Sequence, residues 1–277
     1  GNVVKFINAD DPSNIDYSKY GIKEAVLIDN TGIASDEKGL SAHLKNKEIK
    51  KVLLTAPVKG GLKNIVYGVN HDDIEDTDKI IGAASCTTNA IVPVLSAIDN
   101  EYKIDNGHVE TVHAYTNDQN LIDNYHSKNR RGRAAALNMV LTETGAASAV
   151  SQVLPNLKGK LSANAIRVPT PNVSLAILKL YLSKSSSLDE FNEFLKKTAF
   201  HSLLKDQIDF SISTENVSSD FVGSKYAGVI DGQSTIFNDR NAIVYVWYDN
   251  EIGYCAQLLK VIKRMSGIQY RKLPNFL

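Results

Sequence analysis

Hydrophobic positions come in short runs early in the chain and in longer ones later, and this change divides the chain. Between residues 1 and 85 the runs VVKFI, AVLID, KVLLTAP and NIVYGVN alternate with polar stretches, of which Ser35 to Lys47 is helix-like. Short β-branched runs alternating with helical segments predict parallel strands joined by crossovers. From residue 86 to about 249 the runs lengthen to HVETVHAYT, IRVPTPNVSLAILKLYL, DFSIST, AGVIDGQSTIF and AIVYVWYD. These predict a mostly antiparallel or mixed sheet with helices on one side. Ser187 and Glu190 form a capping box ahead of Phe191, Phe194 and Leu195, so a helix starts there. Between Glu251 and Ser266, Ile252, Cys255, Leu258, Leu259 and Ile262 share one helical stripe, and Gly267 follows where a helix end favours glycine.

Composition narrows the class. Apolar residues make up 43% and charged residues 22%, values of an ordinary globular protein with real cores. The 31 basic and 31 acidic residues cancel, so no net charge draws the chain to nucleic acid or to an anionic membrane surface. Any anion specificity must be local. No apolar run approaches the roughly 18 residues that span a bilayer. Two cysteines, Cys86 and Cys255, without a C-x-x-C, argue against a disulfide framework and a zinc site and suit a reducing, cytoplasmic compartment.

The strongest chemical signal is ASCTTNA at 84 to 90, with His113 in HAYTND 27 positions after the cysteine. A thiol attacks as thiolate, and small polar neighbours, a helix start and an imidazole favour that form. Thr87, Thr88 and Asn89 precede the apolar stretch AIVPVLSAI and are good N-terminal caps, so the helix dipole is expected to lower the Cys86 pKa. Judged on composition alone, Cys86 reads rather as an inert buried thiol. His113 shares a strand face with Val109, Thr111 and Tyr115, where a core histidine would also sit.

The surrounding motifs decide between these readings. ASCTTN, VLLTAP at 52 to 57, GVNH at 68 to 71, HAYTND at 113 to 118, TGAA at 144 to 147, IRVPTPNVS at 166 to 174 and WYDNE with Gly253 and Tyr254 stand in one order. In that order the chain resembles the phosphorylating glyceraldehyde-3-phosphate dehydrogenases. The resemblance implies an α/β fold: a Rossmann-like parallel sheet, here truncated, over 1–85, an α+β catalytic domain over 86–249, and a C-terminal helix over 250–277 returning to the NAD-binding domain.

It also implies roles. Cys86 is the nucleophile and His113 its base. Thr116 and Arg167 hold the substrate phosphate, and Ser85, Thr87, Thr144 and Gly145 hold the attacking inorganic phosphate. Asp118 follows the histidine, and of Arg130, Arg131 and Arg133 the contributor is expected to be Arg131. Phosphate needs such groups, because charge-assisted hydrogen bonds must replace its water. Asn30, Thr31 and Gly32 at the end of AVLID, and Thr55 at the end of KVLLT, face the expected cofactor crevice, although they also suit plain turns. Asn250 offers a donor and an acceptor to a nicotinamide carboxamide, with Tyr254 nearby. The implied cofactor is NAD, with NADP also compatible. The implied substrates are glyceraldehyde 3-phosphate and inorganic phosphate, the implied pathway is glycolysis, and the implied assembly is a homotetramer.

The chain departs from the family pattern in two places. No G-x-G-x-x-G occurs, with Gly60 and Gly61 coming closest, and the opening GNVVKFINADDP matches family sequence well inside the nucleotide domain. Two strand and helix units, on the order of 60 residues, are expected upstream. Asn124 and Tyr125 stand where many NAD-using relatives carry a small or branched residue and a proline. Erythrose-4-phosphate dehydrogenase and a non-catalytic binding protein remain alternatives, the first needing no second phosphate site and the second following if the cofactor turn is absent.

Overall fold

The computed structural model describes residues 3–9 and 11–268. A three-stranded parallel sheet has the order β1 (Ala25–Asp29), β2 (Ile49–Leu54), β3 (Ile80–Gly82). β2 is buried on both faces, which is why its end reads as the unbroken run Val52, Leu53, Leu54. Leu53 packs with Ile65, Ile81, Val261 and Met265, whereas Val52 and Leu54 pack with Leu40, Val58 and Ile80 on the other side.

The second sheet has seven strands: β4 (Ile104–Ala114), β5 (Val140–Thr142), β6 (Leu161–Val168), β7 (Ser174–Leu182), β8 (Ile208–Ser211), β9 (Gly228–Asn238) and β10 (Asn241–Tyr248). Their order is β5-β6-β4-β7-β10-β9-β8. β4 with β6 and β8 with β9 pair in parallel, and the other neighbours are antiparallel. The mixed α/β architecture expected from the pattern of runs is therefore present. Ala176, Leu178, Leu180 and Leu182 of β7, with Ala242, Val244 and Val246 of β10, turn one face inward. Onto that face pack Ile91, Leu95 and Ile98 of α2 (Cys86–Tyr102), Val150 of α3 (Ala146–Val153) and Phe191 and Leu195 of α4 (Leu188–His201). Each such side chain contributes about 1.5–3 kcal/mol on burial. α2 lies close to β9 because Gly228 has no Cβ; one there would stand 2.9 Å from Ala90 O. No helix among the described residues is long and apolar enough to cross a membrane.

Several expectations are corrected. VVKFI forms no strand: Val3 is 92% and Phe6 96% exposed, and no strand edge pairs with them. NIVYGVN is a compact turn in which the Asn70 side chain accepts from Val66 N–H and donates to Asn64 O, displacing a ladder. Ser35 to Lys47 yields only a single helical turn, α1 (Glu37–Leu40), and a short 3-10 turn. IRVPTPNVSLAILKLYL is two strands, because Pro169 and Pro171 cannot extend a ladder and Val173 has a positive φ of 66°. α4 begins with the predicted capping box. α5 (Ile252–Met265) also forms as predicted, but its buried face is Gly253, Gln257, Val261 and Met265; Ile252, Cys255 and Leu259 are exposed. β3, β5 and α3 are too short to show a period.

Candidate active site

Cys86 is the first residue of α2, and the cap is Ser85 rather than the Thr87 to Asn89 run. Ser85 Oγ accepts from Thr88 N–H at 3.1 Å, and the Asn89 amide donates to Ala83 O and Ser85 O at 2.8 and 3.0 Å. This clamps the turn between β3 and α2, where Ala84 is held at φ 54°, a left-handed conformation that non-glycine residues seldom adopt. The thiol is thereby fixed at the positive end of a 17-residue helix.

His113 reaches it from β4, with Nε2 3.5 Å from Cys86 Sγ. The ring is buried, and Nδ1 lies 2.7 Å from Ala114 O and 2.7 Å from Arg167 Nη1. Ala114 O can only accept and Arg167 only donate, so Nδ1 serves one of them at a time: as Nδ1–H on Ala114 O it leaves the Nε2 lone pair facing the thiol, and as acceptor from Arg167 it puts the proton on Nε2. Burial first, and the Arg167 cation second, push the His113 pKa down to about 4. Arg167, on β6, also donates to Ala114 O at 3.0 Å, and its Nε is buried without a partner.

The expected depression of the thiol pKa is not found. Burial pushes the Cys86 thiol up, outweighing the opposing pulls of Thr87, Arg167 and its own backbone N–H. Burial thus favours the thiol with a neutral imidazole over a thiolate–imidazolium pair.

A cleft of about 520 Å³ opens over this pair. It brings together Ser85, Cys86, Thr87, His113, Arg131, Thr144, Gly145 and Arg167 from five segments of the chain. Thr116 and Asp118 do not line it. Asp118 instead forms an ion pair with Arg131, whose Nε–H also donates to Thr142 Oγ1 at 2.9 Å and whose Nη2 donates to Glu143 O at 3.3 Å. Thr87 is only partly free, since its hydroxyl lies 2.8 Å from the Tyr248 hydroxyl. A larger groove of about 990 Å³ runs between α4 and the end of α2, lined by Glu101, Asp189, Glu193 and Lys197 among others, and no cysteine lines it.

The proposed cofactor residues fall into two groups. Asn30, Thr31 and Gly32 form an exposed turn after β1, held by Asp29 Oδ1, which accepts from Thr31 N–H and Oγ1–H at 2.8 and 2.7 Å. Thr55 N–H donates to Asp29 O at 2.9 Å, so the ends of β1 and β2 lie side by side. Asn250 is tied to the catalytic strand: Ser174 Oγ donates to its Oδ1 at 2.8 Å and accepts from Ala114 N–H at 3.1 Å. The Asn250 amide N–H groups have no partner among the described residues, which fits a ligand carbonyl oxygen. The Tyr254 hydroxyl donates to Ala84 O at 3.1 Å, two residues before the nucleophile. Sequence reasoning passed over Ser174, although it ends the IRVPTPNVS motif, and also over Lys59, Lys128, Glu143 and Gln152, which line the cleft. These last have no local pattern that marks them.

Comparison with known proteins agrees with this geometry. The family model of the glyceraldehyde 3-phosphate dehydrogenase C-terminal domain matches residues 85–250. A glyceraldehyde-3-phosphate dehydrogenase-like protein of Pseudomonas aeruginosa (strain UCBPP-PA14) is 60% identical over 275 residues, 99% of this chain and 60% of that protein. Glyceraldehyde-3-phosphate dehydrogenase of Borreliella burgdorferi is 40% identical over 273 residues, 96% of this chain and 80% of the relative. Glyceraldehyde-3-phosphate dehydrogenase 2 of Bacillus subtilis is 40% identical over 269 residues, 96% and 78% respectively. The chain thus spans about 60% of the length of the Pseudomonas relative. With a family model over most of its length and close relatives on both measures, this chain belongs to the glyceraldehyde-3-phosphate dehydrogenase family.

Proposed function

We propose that the protein of which this chain is part oxidises glyceraldehyde 3-phosphate with a nicotinamide cofactor, NAD in the first place, and releases the product as an acyl phosphate. The observation that carries this reading is the contact between Cys86 Sγ and His113 Nε2 at a helix N-terminus, in a cleft walled by Arg131 and Arg167. Residues 86–249 supply the chemistry, and residues 1–85 with 250–277 form the cofactor side. A cytoplasmic homotetramer acting in glycolysis completes the reading.

The residues act as follows. His113 takes the thiol proton as Cys86 sulfur adds to the aldehyde carbon and passes it to the carbonyl oxygen, giving a neutral hemithioacetal whose oxygen is held by the backbone N–H at the start of α2. One such donor is typically worth about 3 kcal/mol. Arg167, with Thr116 near the same strand end, holds the substrate phosphate. His113, neutral again, then removes the hydroxyl proton of the adduct, and a nicotinamide cofactor held there would supply the acceptor for its hydride. Asn250, positioned through Ser174, orients the nicotinamide carboxamide. The resulting thioester is opened by inorganic phosphate held among Ser85, Thr87, Thr144 and Gly145, which returns the thiolate.

The test uses the full-length protein. Reduced cofactor should form only with both glyceraldehyde 3-phosphate and phosphate, and Cys86→Ser should remove that activity without unfolding the protein. A rate independent of phosphate with erythrose 4-phosphate preferred would replace this reading by the hydrolytic one. Failure to bind a nicotinamide nucleotide would replace it by the non-catalytic one.

A further inference from the structure

We infer that His43, through its buried contact with Asp29, is a positioning residue for the nicotinamide cofactor; this rests on the reading above, in which the turn after β1 and the end of β2 face that cofactor. The residues assigned to those two places, Asn30, Thr31, Gly32 and Thr55, are all organised by Asp29. Its Oδ1 accepts from Thr31 N–H at 2.8 Å and from the Thr31 hydroxyl at 2.7 Å, and that hydroxyl accepts in turn from Ile33 N–H at 3.2 Å. Its carbonyl accepts from Thr55 N–H at 2.9 Å and from the Thr55 hydroxyl at 3.3 Å. One residue therefore sets both the path of the turn and its offset from the end of β2.

The other carboxylate oxygen belongs to His43. Oδ2 lies 3.1 Å from Nε2, and because a carboxylate oxygen can only accept, Nε2 carries the hydrogen. Asp29 is 3% and His43 8% exposed. Burial works against the charge on Asp29, but the hydrogen bonds from Thr31 and His43 outweigh it and hold the carboxyl below the usual range. Among the described residues no lysine or arginine pairs with Asp29, so His43 is the one side chain from outside the turn that reaches its carboxylate. His43 arrives from the short 3-10 turn His43–Lys45 after α1. Gly39 lets α1 fold tightly against the stretch that leaves the turn, since a Cβ there would stand 2.6 Å from Ala34 Cβ, and Leu40 packs with Val52 and Leu54 of β2. His43 Nδ1 is buried without a partner among the described residues, which costs stability, so the one hydrogen bond this ring makes is the one that fixes Asp29. Buried and engaged at both oxygens, Asp29 does not meet the ligand itself. It acts through the turn, as a binding loop needs a fixed layer behind it.

The measurement is binding of NADH and of NADPH to the full-length protein, followed by nucleotide fluorescence, with initial rates measured alongside. The parent should bind at least one of the two, and the tighter one is used for the variants. His43→Leu should weaken its binding and raise the cofactor KM about tenfold, with kcat at saturating cofactor within about twofold of the parent. His43→Gln, whose amide N–H can still meet Oδ2, should stay within about threefold of the parent. His43→Leu leaves a buried carboxylate short of a donor, so the double variant Asp29→Asn/His43→Leu, without that charge, replaces it if the single variant does not fold, with the same loss expected. An unchanged affinity in whichever of these folds overturns the inference alone. An equal loss in His43→Gln overturns it too, because the hydrogen bond would then not be the cause. So does a lowered melting temperature with the cofactor KM unmoved, which would leave His43 a purely structural residue. No binding of either nucleotide by the parent overturns the cofactor reading together with this inference.

Discussion

The two sheets carry different parts of the site and are built to different standards. In the seven-stranded sheet the long strands β4, β7 and β10 lie inside, and the edges are β5 and β8, of three and four residues. Short edges expose few unpaired backbone groups. His113 and Arg167 rise from interior strands, and Cys86 from a helix packed on the same core. In the three-stranded sheet β1 pairs with β2 and, among the described residues, with no other strand, and the turn that follows it is exposed. Cys86, His113 and Arg167, which lie within hydrogen-bond lengths of one another, belong to the larger sheet and its core, and the turn proposed to face the cofactor follows a strand end of the smaller one.

Removing the nucleophile breaks this division most sharply. Cys86→Ser should lower turnover of the full-length protein by at least about 10⁴-fold, measured as cofactor reduction, because a hydroxyl is far less nucleophilic at neutral pH. Its circular dichroism and melting temperature should be unchanged. Parent-like turnover would sink the catalytic assignment.

His113→Asn comes next, with a loss of about 10²-fold or more in kcat/KM. It also carries a stability signature. His113 binds its proton near pH 6.5 when unfolded and near 4 when folded, so between these values the unfolded chain binds more protons and stability falls as pH falls. The difference amounts to about 3 kcal/mol across that window, fully retained above pH 6.5. The asparagine variant should lose this portion of the pH dependence in denaturant titrations from pH 7 to pH 4. An identical slope in both proteins would show that the ring is not held neutral by the fold.

How far the sequence discloses this site depends on the range of the forces involved. Strands with long alternating runs, such as β7 and β10, are legible because burial of every second side chain is a local pattern. Cys86, His113 and Arg167 are legible because each lies in a motif of the family. VVKFI has the composition of a strand yet forms none, since pairing depends on a neighbour the run itself cannot encode. The thiol pKa moves opposite to the helix-dipole expectation, because burial is set by residues from all over the chain. Ser174 carries no local signal for the same reason: it matters through Ala114 and Asn250.

Ser174→Ala tests the bridge between the two sides. It removes the acceptor of Ala114 N–H beside the base and frees Asn250 to turn, so kcat should fall about tenfold, with roughly 1 kcal/mol lost in stability. Restoration of kcat by Ser174→Thr would confirm that the hydroxyl positions Asn250. Loss of stability with kcat untouched would confine Ser174 to a structural role.

The smallest effect is expected at the end of β1. Gly32 has φ 72° with open space where a Cβ would stand, so Gly32→Ala meets no clash and carries only the left-handed penalty, about 1 kcal/mol. On the cofactor-side reading this strain shifts the Asn30 to Gly32 turn and raises the KM for the nicotinamide cofactor a few-fold. The rate of Cys86 alkylation should not move, because no hydrogen bond links that turn to the cleft except through the ends of β1 and β2. A change in cofactor KM alone would keep the two sides separable. A parallel change in alkylation would mean that the smaller sheet helps set the geometry of the nucleophile, and the division drawn between the sheets would no longer hold.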